Sequence, residues 1–589
     1  MTTPIGAYGM IGDTRSAALV GPDGSIDWLC LPRFDSPPVF GRLVGGEKAG
    51  WFSVGPDEPA NPSERRYRGN TATLETTWAV DGGRLVLADS LVAEVTGRPL
   101  PSTLLVRRIS AEGRAIRVRV EFRPRFGYAR AAGRTRRHKA SLVIERADTA
   151  LAVTSGTGDM LSPDTPTLID VRPGRPVTIA MSASHRGPLH FVPPAIAATE
   201  AERDETGWAR WADTLDTGPR HRQELIRSFI TLRLLTYSPS GAPVAAPTTS
   251  LPENEGGARN WDYRYAWPRD ASIGIAAFLA AGNDREALGF LAWLVHASRL
   301  DRPRLPALFT LDGRPAPRER ALADWPGYAD SRPVRVGNGA GTQHQLDGYG
   351  WVLDGAWRLT QRGHRLDGEA WRTMKAFADQ VTRKWMLPDA GIWERRDAPR
   401  HHVHSKLMAW LALDRAIRIG EKRGGSSRKL RHWRTASRLL GEEVRLRGYD
   451  PDMGSYTSAY GGRDVDAALL LLPGIGLEPT ASPRVAGTID AIRRRLTAGG
   501  PLLYRYRDRD GLPGDEGAFL PCSFWLVQAL AQTGRRPEAE ALFEDLLGLA
   551  GPLGLFGEEI DPTSLEHLGN YPQALTHAAL VQAAEALDG

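Results

Sequence analysis

The 589 residues predict two structural units in series: an antiparallel β-sandwich, then a ring of paired helices. Three observations carry that reading. From Met1 to about Ser184 the apolar pattern runs mostly with period two, punctuated by Gly and Pro. Near residues 197 to 240 it switches to helical spacing. From Ala271 onward about eleven helical segments follow one another, joined by loops of alternating length, as paired helices closing into a toroid require.

The sandwich rests on strand candidates at Arg84–Val95, Ser102–Ile109, Ile116–Arg123, Ser141–Arg146, Leu151–Ser155 and Val177–Met181, short and turn-separated. Within it, Gly21 to Ser36 has hairpin-like turns around an exposed-looking Trp28 and Asp35. Such side chains either reach a neighbouring pocket or pack inside the sandwich, and the sequence leaves both open. The densest basic run, Arg130 to Lys139, has no stacking aromatic beyond Tyr128 and reads as a solvated hairpin loop. A helical connector follows, with Trp208, Trp211, Leu225, Ile226, Phe229 and Leu232 on repeating faces. A loop rich in Pro, Thr and Ser runs from Pro239 to Pro252. The later helices are predicted at Ala271–Ala281, Arg285–Ser298, Leu346–Gln361, Gly368–Trp385, Val403–Gly420, Ser427–Arg447, Val465–Leu472, Ser482–Thr497, Ala518–Gln532, Pro537–Leu549 and Pro572–Leu587. Most end at Gly or before a turn cluster.

Composition excludes several functions. Hydrophobic residues at 41% and charged residues at 24% are ordinary for a soluble globular protein. A net charge of +6 is small for this length and implies no nucleic acid partner. The two cysteines, Cys30 and Cys522, lie in no CxxC or Cys/His spacing, so neither a disulfide framework nor a zinc site is expected. The first residues lack a basic n-region and an apolar h-region, and no apolar run approaches the roughly twenty residues of a membrane span. A reduced cytoplasm is expected, with no membrane partner and homo-oligomerisation left open.

The most unusual stretch is Asn260 to Asp270, N-W-D-Y-R-Y-A-W-P-R-D. Trp261, Tyr263, Tyr265 and Trp267 are interleaved with Asp262, Arg264, Arg269 and Asp270, which suits neither a core helix nor a buried strand. Flat rings that cover the C–H faces of a pyranose, beside forked cations and carboxylates that satisfy its hydroxyls, are what a sugar pocket needs. Pro268 fixes the backbone before Arg269, and a helix pattern begins at Ala271, so the stretch reads as a loop delivering side chains to the mouth of a helical scaffold. An aromatic core corner with salt bridges is the structural alternative. Three other junctions are similarly rich: Gly391–His404, Arg505–Gly517 and Gly554–Asp561. If inner and outer helices alternate, the four share one rim.

Two of these junctions carry carboxylates suited to catalysis. Glu394 directly follows Trp393 in G-I-W-E-R-R-D, where an apolar ring disfavours the charged form and keeps a general acid protonated. Glu558 and Glu559 adjoin in G-L-F-G-E-E-I-D-P, pointing differently, so one faces a pocket while the other makes structural bonds. Two carboxyls on opposite sides of a sugar are the usual apparatus for cleaving a glycosidic bond. Alone, either Glu also reads as a surface charge or a helix-start residue.

These motifs, with D-G-L-P-G-D-E-G-A-F-L-P-C-S-F-W and G-N-Y-P-Q-A-L-T-H, resemble glycoside hydrolase family 15, the family of glucoamylases, glucodextranases and bacterial trehalases. The N-terminal I-G-A-Y-G-M-I-G-D-T-R-S-A-A-L-V-G-P-D-G-S-I-D-W-L-C-L-P-R-F-D-S-P resembles the start of the trehalase-like branch. The resemblance implies a super-β-sandwich over residues 1–195, a helical linker over 196–250 and an (α/α)6 barrel over 251–589. It further implies hydrolysis of an α-glucosidic bond with inversion, Glu394 as general acid and Glu558 as general base. Arg269 and Asp270 would grip the outer hydroxyls of the non-reducing glucose, with Tyr265, Trp267 and Trp393 as walls and Arg505 as a further contact. Inversion predicts carboxyl groups about 6.5–9.5 Å apart, leaving room for the attacking water.

Ala266 and Pro268 stand where the family often has Cys and Leu, and Trp351 stands where many relatives carry Glu, a change expected to alter the leaving-group subsite. No cofactor is expected. His401, His402 and His404 lack a carboxylate pair placed as co-ligands, so sugar contact or helix-start bonding is expected of His404 and Lys406 instead of a metal. A phosphorylase needs no carboxylate base, and a non-catalytic carbohydrate sensor needs neither Glu. The substrate expectation is α,α-trehalose, with α-1,4 or α-1,6 glucosides of short α-glucans as the alternative.

Overall fold

The computed structural model describes residues 2–93, 103–158, 160–424 and 427–588. The first part is two antiparallel sheets face to face. One runs in the order Gly9–Gly12, Ala17–Val20, Ser25–Cys30, Trp51–Pro56, Ile116–Arg123, Thr167–Val171, with Pro38–Phe40 also paired to Ser25–Cys30. The other runs Arg134–His138, Ser141–Arg146, Thr149–Ser155, Val177–His185, Thr103–Glu112, Gly83–Leu91, Leu74–Val80, Glu64–Tyr67. Alternate residues such as Phe52, Trp78, Leu87, Val118 and Ile179 meet between them as one apolar core. The predicted strand ends at Val95 and Ser102 lie outside the described residues. The basic run departs from expectation: Arg134–His138 is a strand exposed along its length, and its charges protect a sheet edge from pairing with another chain.

Among the described residues twelve longer helices follow: α1 (Pro194–Ala212), α2 (Arg222–Leu234), α3 (Pro268–Ala280), α4 (Asp284–Ser298), α5 (Asp347–Gln361), α6 (Gly368–Lys384), α7 (Val403–Lys422), α8 (Ser427–Arg447), α9 (Pro483–Leu496), α10 (Leu520–Gln532), α11 (Arg536–Leu547) and α12 (Ala574–Asp588). An inner ring closes as α3, α5, α7, the segment Ala467–Ile475, α10 and α12, which returns to α3. Outside it α4, α6, α8, α9, α11 and α2 each cover an inner element. The predicted helix at Val465–Leu472 is instead a 3-10 turn, Ala467–Leu471, and one α-turn, Leu472–Ile475, because Gly476 takes a left-handed conformation that stops it.

The connector divides between the two parts. Helix α1 packs Ala197 and Ala201 on the outer face of the sandwich against Leu104, Val106 and Ala180, while α2 packs on α12. The predicted exposure of Trp28 is wrong. It is fully buried where the sandwich meets the ring, and its Nε1 donates to Pro247 O at 2.7 Å. Asp35 is spent on Arg33, 2.6 Å away. No helix among the described residues is long and apolar enough to cross a membrane.

Candidate active site

The helix after the aromatic stretch starts earlier than predicted. Pro268 occupies its first position, where a missing N–H costs nothing, so Arg269 and Asp270 stand on its first turn. Before it, Asn260–Asp262 is a short strand whose alternation sorts the side chains. Trp261 and Tyr263 face a cavity. Asp262 and Arg264 face the sandwich as a fully buried pair 2.7 Å apart, and Arg264 also donates to Ser36 O at 2.8 Å. The charges of this stretch therefore do two jobs, and only Arg269 and Asp270 serve the cavity.

That cavity encloses about 690 Å³ of space including its open mouth. All four unusual junctions contribute to it, through Trp261, Tyr263, Trp267, Arg269 and Asp270, through Trp393, Glu394 and Arg396, through Arg505, Tyr506 and Leu512, and through Glu558. The structure thus brings together seven of the eight sequence-predicted site residues. Tyr265 is the exception. It is buried beside the cavity in a small apolar cluster with Ala307 and Leu308, and Tyr263 lines the space in its place.

Two carboxyls are held by two touching rings. Trp267 Nε1 donates to Glu394 Oε1 at 2.6 Å, and the Tyr263 hydroxyl donates to Glu558 Oε1 at 2.6 Å. The Tyr263 and Trp267 rings meet edge to face, centroids 5.6 Å apart. Glu394 adopts a left-handed backbone (φ 59°), a strained setting for a non-glycine residue that aims its side chain from the loop. Burial raises its pKa above the ordinary glutamate value, opposed by Arg269 and by the Trp267 hydrogen bond. Arg269 is itself fixed by Asp270 at 2.7 Å and Ile392 O at 3.0 Å, leaving its guanidinium 4.0 Å from Glu394.

Glu558 is almost wholly buried, with Oε1 on Tyr263 and Oε2 without a partner. It lies over Gly569, where a Cβ would come 2.6 Å from Oε2, so only glycine leaves it room. Burial raises its pKa first and the nearby Glu253 charge second, while Arg505 and the Tyr263 hydroxyl pull it down. Glu559 points elsewhere: its Oε2 accepts from Gly517 N at 2.8 Å and it does not line the cavity.

Behind Glu558 lies a cluster that sequence reading missed. Arg505 donates to Glu516 Oε1 at 3.1 Å and Glu253 Oε2 at 3.2 Å, and stands 3.6 Å from Glu559. Its guanidinium also faces the Trp393 ring at 5.7 Å, and Trp393 Nε1 donates to Asp466 at 2.9 Å. Arg259 pairs with Asp510 at 2.7 Å and Glu516 at 3.4 Å. Glu253, Glu516 and Glu559 offer oxygens within 4.8 Å of one another, the spacing of a cation site, and Arg505 stands among them. Glu253 had no sequence signal, being a single acid at the end of a Pro/Thr/Ser loop. Tyr263 had one, the period-two alternation with Trp261.

The remaining expectations fare differently. Trp351 does not line this cavity. It lines another within the ring with Ser272, Gln528, Gln532 and Gln582. His404 is buried in α7 near Trp351, its pKa lowered by burial to about 3, and Lys406 Nζ ties down Trp385 O and Leu387 O. Neither meets the cavity.

Comparison with known proteins agrees with this geometry. The model of glycosyl hydrolases family 15 matches residues 219–585, and that of the trehalase-like N-terminal domain matches residues 1–159. The chain is similar to trehalases of Mycolicibacterium smegmatis (36% identical, covering 98% of this chain and 90% of that one) and Thermoplasma volcanium (32%, 99% and 93%). Among solved structures it is similar in fold to a bacterial glucoamylase complexed with acarbose, with TM-score 0.73 at 13% identity, covering 100% of this chain and 94% of that one.

Proposed function

The chain belongs to glycosyl hydrolases family 15 and is a glycoside hydrolase, and from that premise we propose that it is an inverting, exo-acting trehalase-type enzyme cleaving α,α-trehalose to glucose. The trehalases above, alike over nearly their whole length, support the substrate. The observation that carries the mechanism is the pair of carboxyls, Glu394 and Glu558, held in one cavity by the Trp267 and Tyr263 rings.

In this reading the non-reducing glucose lies on the floor, its outer hydroxyls on Arg269 and Asp270 and its faces against Trp267 and Trp393. Glu394, whose pKa burial raises, gives its proton to the glycosidic oxygen as the C1–O bond breaks. Water held by Glu558 attacks C1 from the opposite face and yields its proton to that carboxylate. Arg505 braces Trp393 and the Glu253 cluster behind the base. The helical ring is read as the (α/α)6 barrel and the sheets as the super-β-sandwich, with units at 1–195, 196–250 and 251–589. The setting is the cytoplasm, with no metal or cofactor in the reaction.

The test is early-time proton NMR of trehalose hydrolysis. Inversion releases one β-glucose and one α-glucose per event before mutarotation, whereas retention releases α-glucose alone. Maltose and isomaltose run in parallel decide between disaccharides; faster cleavage of either overturns the trehalase reading while leaving the hydrolase intact.

A further inference from the structure

The cavity lining is unevenly buried. Trp267, Asp270 and Glu558 are buried, whereas Trp261 and Leu512 are half-buried and the Arg396 side chain is 31% exposed, so solvent meets the cavity on the Arg396 side and that side is its exposed end. With the non-reducing glucose on the floor and Glu394 at the bond to be broken, the leaving sugar lies toward the exposed end. Arg396 follows Glu394 by two residues in the same loop, so it borders the leaving side of the acid.

That end is built. Glu319 bridges two guanidinium groups, Arg335 Nε at 3.2 Å and Arg396 at 2.8 Å, and also accepts from Gly339 N at 3.0 Å. Both guanidinium groups sit on the Trp261 ring, Arg335 at 4.5 Å and Arg396 at 4.9 Å from its centroid. Trp261 Nε1 is pinned to Glu253 Oε1 at 2.9 Å, so the ring cannot turn. Among the described residues Arg396 has Glu319 as its one hydrogen-bond partner, leaving its other N–H groups for a ligand.

We propose that Trp261 and Arg396, clamped by Glu319, form the seat of the leaving sugar and decide which glucosides are cut. The identity of that sugar as glucose rests on the trehalase-type reading. The wall itself requires only a polyhydroxylated leaving group: Arg396 donates to its hydroxyls and Trp261 covers its apolar edge. The nearby Glu253 and Glu319 carboxylates are already engaged, so the seat contributes no proton transfer.

The experiment compares two substrates that share the floor glucose, trehalose and 4-nitrophenyl α-glucoside, whose leaving group has no hydroxyl. Arg396→Met and Trp261→Ala are expected to lower kcat/KM for trehalose at least about 30-fold, and for the aryl glucoside less than about 3-fold. Arg396→Lys is expected to recover part of the loss, because it keeps the charge without the fork. Glu319→Gln, which loosens the clamp, falls between. An equal fall on both substrates would place these residues with the floor or the acid and overturn the proposal, as would an unchanged trehalose rate. Aryl glucoside turnover also reports that each variant folds. If the unmodified enzyme prefers another disaccharide, the trehalase reading fails, and the same ratio measured on that disaccharide still decides the seat.

Discussion

In the sandwich, Arg107 donates to both oxygens of Asp89 at 2.8 and 3.0 Å and to the carbonyls of Phe52 and Gly24 at 2.6 Å each. One cation meets one anion, and both side chains are sealed from water. At the cavity the same kinds of group are left out of balance. Glu253, Glu516, Glu558, Glu559 and Asp510 are set against Arg259 and Arg505, and among the described residues an oxygen of Glu558 and one of Glu559 have no hydrogen-bond partner, the latter lying 3.6 Å from Arg505. Burial without full pairing disfavours charge, so Glu253, Glu558 and Glu559 are all raised above the ordinary glutamate pKa. The lesson is that a closed network holds the fold, whereas a carboxyl that lines a cavity without full pairing is available for chemistry.

The contrast breaks first at the carboxyls. Glu394→Gln and Glu558→Gln are each expected to lower kcat by about 10²–10⁴, the range of general acid–base catalysis, without lowering the melting temperature. For Glu558 the sign is fixed by linkage. A carboxyl with a raised folded-state pKa loses its favourable contribution as pH rises through that value, so Glu558→Gln gains stability relative to the parent at alkaline pH. The closed pair answers the opposite way. Arg107→Met leaves Asp89 buried and unpaired and costs about 3–5 kcal/mol by denaturant titration, with kcat of the folded fraction unchanged. Equal effects of the two kinds of variant on both readouts would erase the distinction.

How much of this was legible beforehand depended on the kind of signal. The helix Ser427–Arg447 and the strands at Ile116–Arg123 and Ser141–Arg146 were read with their bounds, because long amphipathic or alternating segments announce themselves. Their ring closure was read only as a spacing argument, and the split of the connector between α1 on the sandwich and α2 on the ring was not visible at all. Trp28 looked exposed because its neighbours are turn residues, yet the contact that buries it is 219 residues away. At the site, Glu394 and Glu558 stood out through adjacent Trp and glycine. Alternation does not separate Tyr263 from Tyr265, which share its phase; only the folded chain shows Tyr263 lining the cavity and Tyr265 in the apolar cluster beside it. Glu253 and Arg396 entered only through contacts made across the fold.

Tyr263→Phe sharpens the comparison at a single bond. Among the described residues the hydroxyl is the one side-chain donor to Glu558 Oε1, and a hydrogen bond to a charged group is worth about 1.5–3 kcal/mol. Its loss is expected to lower kcat about ten-fold or more at neutral pH and to raise the Glu558 pKa further, moving the acid limb of the kcat profile to higher pH.

Glu253→Gln is the smallest change and the most direct probe of the imbalance. The Glu253 charge is the second cause, after burial, of the raised Glu558 pKa, and removing it leaves burial in place. In the proposed mechanism deprotonated Glu558 is the base, so activity rises with pH as it ionises. Removing a like charge makes that ionisation easier, and the acid limb moves to lower pH, opposite to Tyr263→Phe. Arg505 keeps Glu516 as its partner, so the fold is expected to survive. A pH profile of kcat for the three proteins checks it: the limbs should fall in the order Glu253→Gln, parent, Tyr263→Phe from low pH to high. If both variants shift the limb the same way, Glu558 is not the group titrating there, and the unfilled acceptor at the cavity has some other use.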